Sequence, residues 1–306
     1  MNPVIKVIGV GGSGGNTVSR IAKFNTGGIE LIAVNTDAQA LHFCKAPYKI
    51  LIGKNSTKGL GAGMDMSLGK KAAEENIKEV SEFLKGADMV FITCGLGGGT
   101  GSGATAPIAE VAKNSGILTV IVVTTPFSFE GEERKQVAKA ALQGLHGKYD
   151  CLLTISNDNL LKVIDEKTTV SNAFLLCDDM LRQAVESITD LVLAPGIITI
   201  DFASVTSIMK NSGQALFGTG RATGQNRAEE AAKKAINSPL LDFSIKDSKG
   251  VLFNISGNDV TLHEIQSASK IITEHIDKKA KIVFGAVKDS SLKKGEIKIT
   301  VIATKF

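Results

Sequence analysis

Three glycine-rich stretches constrain the fold more than any other feature of the chain. Segment 9–15 holds five glycines, 53–69 five and 95–103 six, together 16 of the 32 in 306 residues. Glycine costs backbone entropy wherever it sits, so it clusters where a Cβ would obstruct a turn or a close approach. The first stretch follows the apolar run Val4–Val10 and opens a helix-period segment, and Gly9, Gly11 and Gly14 fit G-x-G-x-x-G. Such a strand-to-helix turn presents unpaired N–H groups to a phosphate. The third stretch, Gly95-Leu96-Gly97-Gly98-Gly99-Thr100-Gly101-Ser102-Gly103, follows the run Asp88–Cys94 and leads into a helix expected from near Ala104. Two such loops at the ends of parallel strands, with the Thr100 and Ser102 hydroxyls beside them, suit a polyphosphate. No G-x-x-x-x-G-K-[ST] occurs, so an ordinary P-loop is absent. The first loop with Asp37 alone also fits a nicotinamide-dependent oxidoreductase, the acid holding a ribose, but that reading leaves the second loop unexplained.

Strand-like and helix-period segments alternate through the first half, the pattern of a parallel sheet covered by helices. Strands are expected at 4–10, 30–35, 48–52, 88–94, 118–124 and 151–155, with helices at 16–24, 67–84, 104–114 and 132–145. A long helical segment from Thr169 runs without Gly or Pro to the stop Ala194-Pro195-Gly196. Beyond it, helices at 202–211, 228–237 and 262–275 alternate with strands at 215–222, 250–255, 281–287 and 297–303, the last two read as neighbours in a smaller mixed sheet. The division expected is 1–168, a central helix 169–195, and 196–306.

Lys plus Arg is 35 against 31 Asp plus Glu, a formal charge of +4, too small a surplus to point to nucleic acid or an anionic membrane. Cys44, Cys94, Cys151 and Cys177 form no C-x-x-C pair and read as reduced thiols. The N-terminus lacks the regions of a signal peptide, and no stretch of about 18 apolar residues occurs. A cytoplasmic protein is expected, without a nucleic-acid partner or membrane insertion.

The block Gly97-Gly98-Gly99-Thr100-Gly101-Ser102-Gly103 resembles the GGGTG[ST]G signature of the FtsZ family of the tubulin superfamily. Seven further blocks support the resemblance in order, among them Ile5–Asn16, Ala33–Leu41, Thr57–Gly63, Phe127–Gly131 and Arg227–Ala232. It implies an α/β fold with a Rossmann-like GTP-binding domain, a long central helix and a smaller α+β C-terminal domain. It also implies GTP or GDP with Mg2+, and head-to-tail filaments that serve cell division. By position, Gly12, Ser13, Gly14, Gly15 and Asn16 would line the nucleotide, and Gly99, Thr100 and Gly101 would hold its phosphates. Glu130 and Arg134 resemble a nucleotide-contacting pair, Phe174 the aromatic on the guanine, Asp178 the acceptor at its edge, and Asn157 a further contact. Without the surrounding motif, Glu130 and Arg134 would be a solvated i,i+4 pair worth a few tenths of a kcal/mol.

In this family a loop of the next subunit completes the active site with acidic residues. Here that loop falls at 196–205, where the family pattern has Asn, Asp and Asp, and this chain has Thr199, Asp201 and Ser204. A serine hydroxyl is no proton acceptor at neutral pH, so weak hydrolysis is expected. Family members also continue into a linker and a partner-binding peptide, whereas this chain ends at Thr304-Lys305-Phe306. A tail-less paralogue that co-assembles with a full-length relative, or a filament partner with little turnover, is the alternative expectation.

Overall fold

Helices of crossover length separate most of the six apolar runs, which lets the runs pair in parallel. The computed structural model describes residues 2–24, 28–162, 164–165, 167–193, 196–238, 245–289 and 292–304. Two units are distinguished, residues 1–186 and 187–306. The first contains β1 (Ile5–Val10), α1 (Gly11–Ile21), β2 (Ile29–Asn35), α2 (Ala38–Phe43), β3 (Tyr48–Leu51), α3 (Lys54–Thr57), α4 (Met66–Glu75), α5 (Ile77–Leu84) and β4 (Met89–Gly95). It continues with α6 (Gly99–Asn114), β5 (Leu118–Thr125), α7 (Glu132–Gly144), β6 (Cys151–Ser156), α8 (Asn157–Leu160) and the start of α9 (Val170–Leu193). Its strands pair in parallel in the order β3-β2-β1-β4-β5-β6. Every residue of β1 is buried, as in a sheet covered on both faces.

The glycine stretches prove to be helix starts as much as loops. The helix expected from Ala104 begins at Gly99, and the one expected from Asn16 begins at Gly11. Gly99, Gly101 and Gly103 are therefore helical residues, and their role is close packing. A Cβ on Gly103 would run into the Met66 carbonyl of α4, and one on Gly99 would lie 2.7 Å from the carbonyls of Ala62, Gly63 and Asp65. Likewise Gly9 and Gly14 press backbone to backbone, which seats α1 on β1. The helix expected over 67–84 breaks at Asn76, whose backbone leaves the helical region. Its Oδ1 accepts from Gly53 N at 2.9 Å and its Nδ2 donates to Glu79, so the side chain is spent on the α3 turn. The short helices α2, α3 and α8 had no period long enough to be read.

The second unit contains β7 (Gly196–Ile198), α10 (Phe202–Met209), β8 (Gly213–Thr223), α11 (Arg227–Ile236), β9 (Gly250–Gly257), α12 (Leu262–Thr273), β10 (Lys281–Lys288) and β11 (Glu296–Thr304). The order is β8-β11-β9-β10-β7, so β10 and β11 are not neighbours as expected: β9 lies between them, parallel to β10 and antiparallel to β11. The connection of β9 through α12 to β10 is a parallel crossover, which sequence spacing alone did not distinguish from a hairpin. Leu216, Phe253, Ile255, Ile299 and Val301 of the sheet form a core with the alanines of α11 and with Ile272 of α12. Arg227 joins α11 to α12 by hydrogen bonds to Glu264 and Asp259. Ala194 and Pro195, read as the stop of the long helix, lie outside the described residues, as do Lys305 and Phe306. Among the described residues no helix is long and apolar enough to cross a membrane.

Gly103→Ala should gain about 1 kcal/mol of helix propensity yet cost more by forcing α6 from α4. A net loss of about 1–3 kcal/mol is expected in urea unfolding, with the m-value unchanged.

Candidate functional site

Helices α1 and α6 start side by side at the carboxyl ends of the adjacent strands β1 and β4. Gly11, at φ +73°, comes so near Gly101 that a Cβ would stand 3.1 Å from its N. The two helix N-termini thus converge, each with N–H groups that have no partner within the helix, and their dipoles favour negative charge between them. They border a cavity of about 640 Å³, a volume suited to a small-molecule ligand. Gly12, Ser13, Asn16, Gly99, Thr100 and Gly101 line it; Gly14 and Gly15 do not. Gly14 faces the Thr93 carbonyl, and Gly15 lines a second cavity of about 370 Å³ beside Cys44. The Thr100 hydroxyl bonds that of Thr36 at 2.6 Å. Ser102, expected as a donor to ligand, instead accepts from Gly97 N at 3.0 Å and braces its own turn. Asp37 also lines the cavity, but its carboxylate caps α2, accepting from Ala40 N at 2.9 Å.

The opposite end of the cavity is aromatic and acidic. Phe174, Cys177 and Asp178 come from α9, Asn157 from the start of α8, and Glu130 and Arg134 from the turn into α7. That turn is held by Asp158, which accepts from Ser128 N at 2.7 Å. Glu130 accepts from Phe127 N at 2.9 Å and lies 3.5 Å from Arg134, so the pair read from sequence is formed. Phe174 stands edge-on to Phe127 at 5.4 Å and keeps 39% of its surface exposed, which leaves it on the cavity wall and not in the core. Asp178 accepts from the Ser13 hydroxyl at 3.1 Å. Burial raises its carboxyl to about 6, against the pull of Ser13, Arg20 and Asn16. Burial, with Asp178 and Glu130 adding to it, pushes the Cys177 thiol up to about 12, which makes it inert as a nucleophile. Asn157 Oδ1 is buried without a hydrogen-bond partner. An orphaned buried acceptor costs about 1–3 kcal/mol. Anion sites at one end and acceptors flanked by an aromatic at the other suit a molecule with phosphates and a donor-bearing base.

Known proteins agree with that geometry. Residues 4–165 match the model of the Tubulin/FtsZ family GTPase domain, and residues 213–306 that of the FtsZ family C-terminal domain. An empty FtsZ dimer of M. jannaschii is 39% identical, with a TM-score of 0.95 over 99% of this chain and 88% of that one. The chain belongs to the Tubulin/FtsZ family. A mutant of the M. jannaschii FtsZ gives 40% identity and a TM-score of 0.94 over 98% of this chain and 90% of the other. CetZ2 from Haloferax volcanii, solved as a GTPγS-bound protofilament, shares the fold at a TM-score of 0.81 and 23% identity, over 98% and 92% of the two chains. The family is one of GTPases that bind GTP or GDP, which removes the basis for the nicotinamide reading.

The residues that the resemblance likens to a catalytic loop lie in the second unit. Asp201 is the N-cap of α10 and accepts from Ser204 N at 2.6 Å; hydrogen bonds from Ser204 hold its carboxyl below the usual range. The Thr199 hydroxyl is turned to the Gly196 carbonyl at 3.4 Å. Sequence reasoning did not single out Asn35 and Leu60 as lining residues. Asn35 ends β2 without a glycine beside it, and Leu60 is 84% exposed at the cavity rim on the loop that Gly61 N ties to the Thr36 carbonyl.

A carboxyl raised by folding contributes stability that is present while it is protonated and is lost as the pH rises through about 6. Ligand-free Asp178→Asn, which cannot ionise, should therefore exceed the native protein in stability by about 1–3 kcal/mol near pH 8. The gap should close below about pH 4, where the native carboxyl is protonated in both states. Urea unfolding across that range measures it.

Proposed function

We propose that the chain is a GTP-binding filament subunit acting in cell division: the cavity takes GTP or GDP, and copies associate head to tail. The observation that carries the reading is the buried carboxylate of Asp178 beside Phe174 at one end of the cavity, facing two helix N-termini at the other. The phosphates rest on N–H groups of Gly12, Ser13, Gly99, Thr100 and Gly101, and Asn16, Glu130 and Arg134 border the sugar. Phe174 packs on the base. The acceptor-only carboxylate of Asp178 takes the N1–H and N2–H of guanine and rejects adenine, which has neither. No group of three or more His, Cys, Asp or Glu placed to hold a metal occurs among the described residues. Mg2+ would accompany the nucleotide on phosphate oxygens and water, as is usual for this ion.

Hydrolysis, on this reading, is completed by residues 199–204 of the next copy. Asp201 supplies the one charge left there, while Thr199 and Ser204 supply hydroxyls. Loss of a positioned base costs about 10²–10⁴-fold, so turnover is slow and filaments persist. Repetition of a head-to-tail contact without closure yields an open filament. Those same two residues favour a second reading, a nucleotide-binding partner that co-assembles with a full-length relative and hydrolyses little GTP itself.

Because GTP binds the ionised form of Asp178, affinity should fall about tenfold per pH unit below about 6, where the free carboxyl takes up a proton. Titration calorimetry from acid to neutral pH checks this; a flat profile in the native protein would count against Asp178 as the base reader. Ser204→Asp puts an acid in the first turn of α10, which the helix dipole tolerates. Phosphate release during GTP-dependent light scattering should then rise at least about tenfold. Rapid native turnover, unchanged in this variant, is the contrary result.

A further inference from the structure

The second cavity of the first unit, of about 370 Å³, lies between α1, the end of β2 and α2, and shares Gly12, Asn16 and Asn35 with the larger one. It extends from Gly12 to Lys23, a helical rise of about 16 Å along α1 and the turn after it. Its charged lining is Lys23 and Lys45, both exposed, and no Asp or Glu lines it among the described residues. Ser19 stands one helical turn before Lys23, and its hydroxyl accepts from Lys45 N at 2.9 Å, so the two lysines belong to the same end of the cavity. Neither has an ion-pair partner among the described residues.

Between that end and Gly12 the polar groups are engaged within the protein. The Ser19 hydroxyl donates to the Gly15 carbonyl at 2.7 Å, the Cys44 thiol donates to the same carbonyl at 3.3 Å, and Asn16 is hydrogen-bonded to Asp178. Asn35 Oδ1 accepts from Thr36 N and Asp37 N. What remains of the wall is apolar, with Val34, Leu41 and the ring of Phe43. Phe43 is 66% exposed and meets His42 edge-on at 5.4 Å. The cavity therefore offers an apolar body with positive charge at one end, the reverse of the larger cavity's polar lining.

We propose that this cavity is a binding site for a small aromatic carboxylate, its ring system against Leu41 and Phe43 and its carboxylate between Lys23 and Lys45. The lining selects that class. A cation would meet two ammonium groups, and a neutral apolar molecule would leave their charge unanswered. A phosphate chain is better served by the converging helix N-termini of the larger cavity, whereas a single carboxylate is matched by two mobile point charges. An aromatic ring also covers exposed Phe43, and an apolar wall with a few placed polar groups is the usual make-up of a small-molecule site. The site stands whether or not the larger cavity holds a nucleotide.

Cys44 reports occupancy, because it lines this cavity, while Cys94 and Cys151 are fully buried and line neither cavity and Cys177 lines the larger one with its thiol pushed up to about 12. Iodoacetamide alkylates a cysteine when the thiolate sulfur displaces iodide and the thiol proton passes to the buffer, and peptide mass spectrometry reads each cysteine separately. In the nucleotide-free protein, Cys44 should be alkylated, and 2-naphthoate should protect it. The uncharged 2-naphthamide should need about fivefold more for the same protection. Lys23→Gln with Lys45→Gln should raise the naphthoate required about fivefold and leave that of naphthamide unchanged. Lys70→Gln with Lys139→Gln, the same charge change on residues that line neither cavity, should shift it less than about twofold. Equal thermal midpoints establish that both variants fold. Cys44 left unmodified in the native protein, equal protection by amide and carboxylate, equal shifts in the two lysine variants, or protection by inorganic phosphate at the concentration where naphthoate acts overturns the proposal.

Discussion

Backbone pressed on backbone at residues without a Cβ is the constraint on which the first unit depends. Gly9 against Gly14, Gly11 against Gly101, Gly69 against Gly99 and Gly103 against Met66 are approaches that any side chain would prevent. Through them α1 lies against β1, α6 against α4, and the two helix N-termini against each other. One steric fact therefore does two jobs. It closes the packing around the parallel sheet, and it leaves the unpaired N–H groups of two helices pointing into one cavity.

The other end of that cavity is held at a cost. A carboxyl raised to about 6 and an orphaned amide oxygen are both unfavourable in the ligand-free protein. On the proposed reading, a base with two adjacent donors compensates the Asp178 carboxylate. The stretch 199–204 shows the converse economy. Its one acid, Asp201, caps α10, and Thr199 and Ser204 beside it are neutral.

Much of the fold was legible because its signals are local. The six strands of the first unit and the long helix follow from apolar runs and their periods, with ends displaced by a residue or two. Legibility failed where a distant partner decided the outcome. The break at Asn76 comes from Gly53 across the chain, and the place of β9 between β10 and β11 comes from a crossover that no spacing encodes. At the site, several glycine-marked residues were found, while Asn35 and Leu60, each inside a block that carried the family resemblance, were not recognised as lining residues because their place at the cavity is set by chain folding. Ser102 carried a mark and went to a structural bond instead.

The sequence by itself determined the family, the α/β architecture and the glycines that open α1 and α6, because motif, period and turn chemistry are properties of neighbouring residues. It also determined that Thr199 and Ser204 carry no acid, since that can be read directly. Only the tertiary structure decided which glycines serve packing and which serve the cavity, as that depends on what stands opposite each Cα.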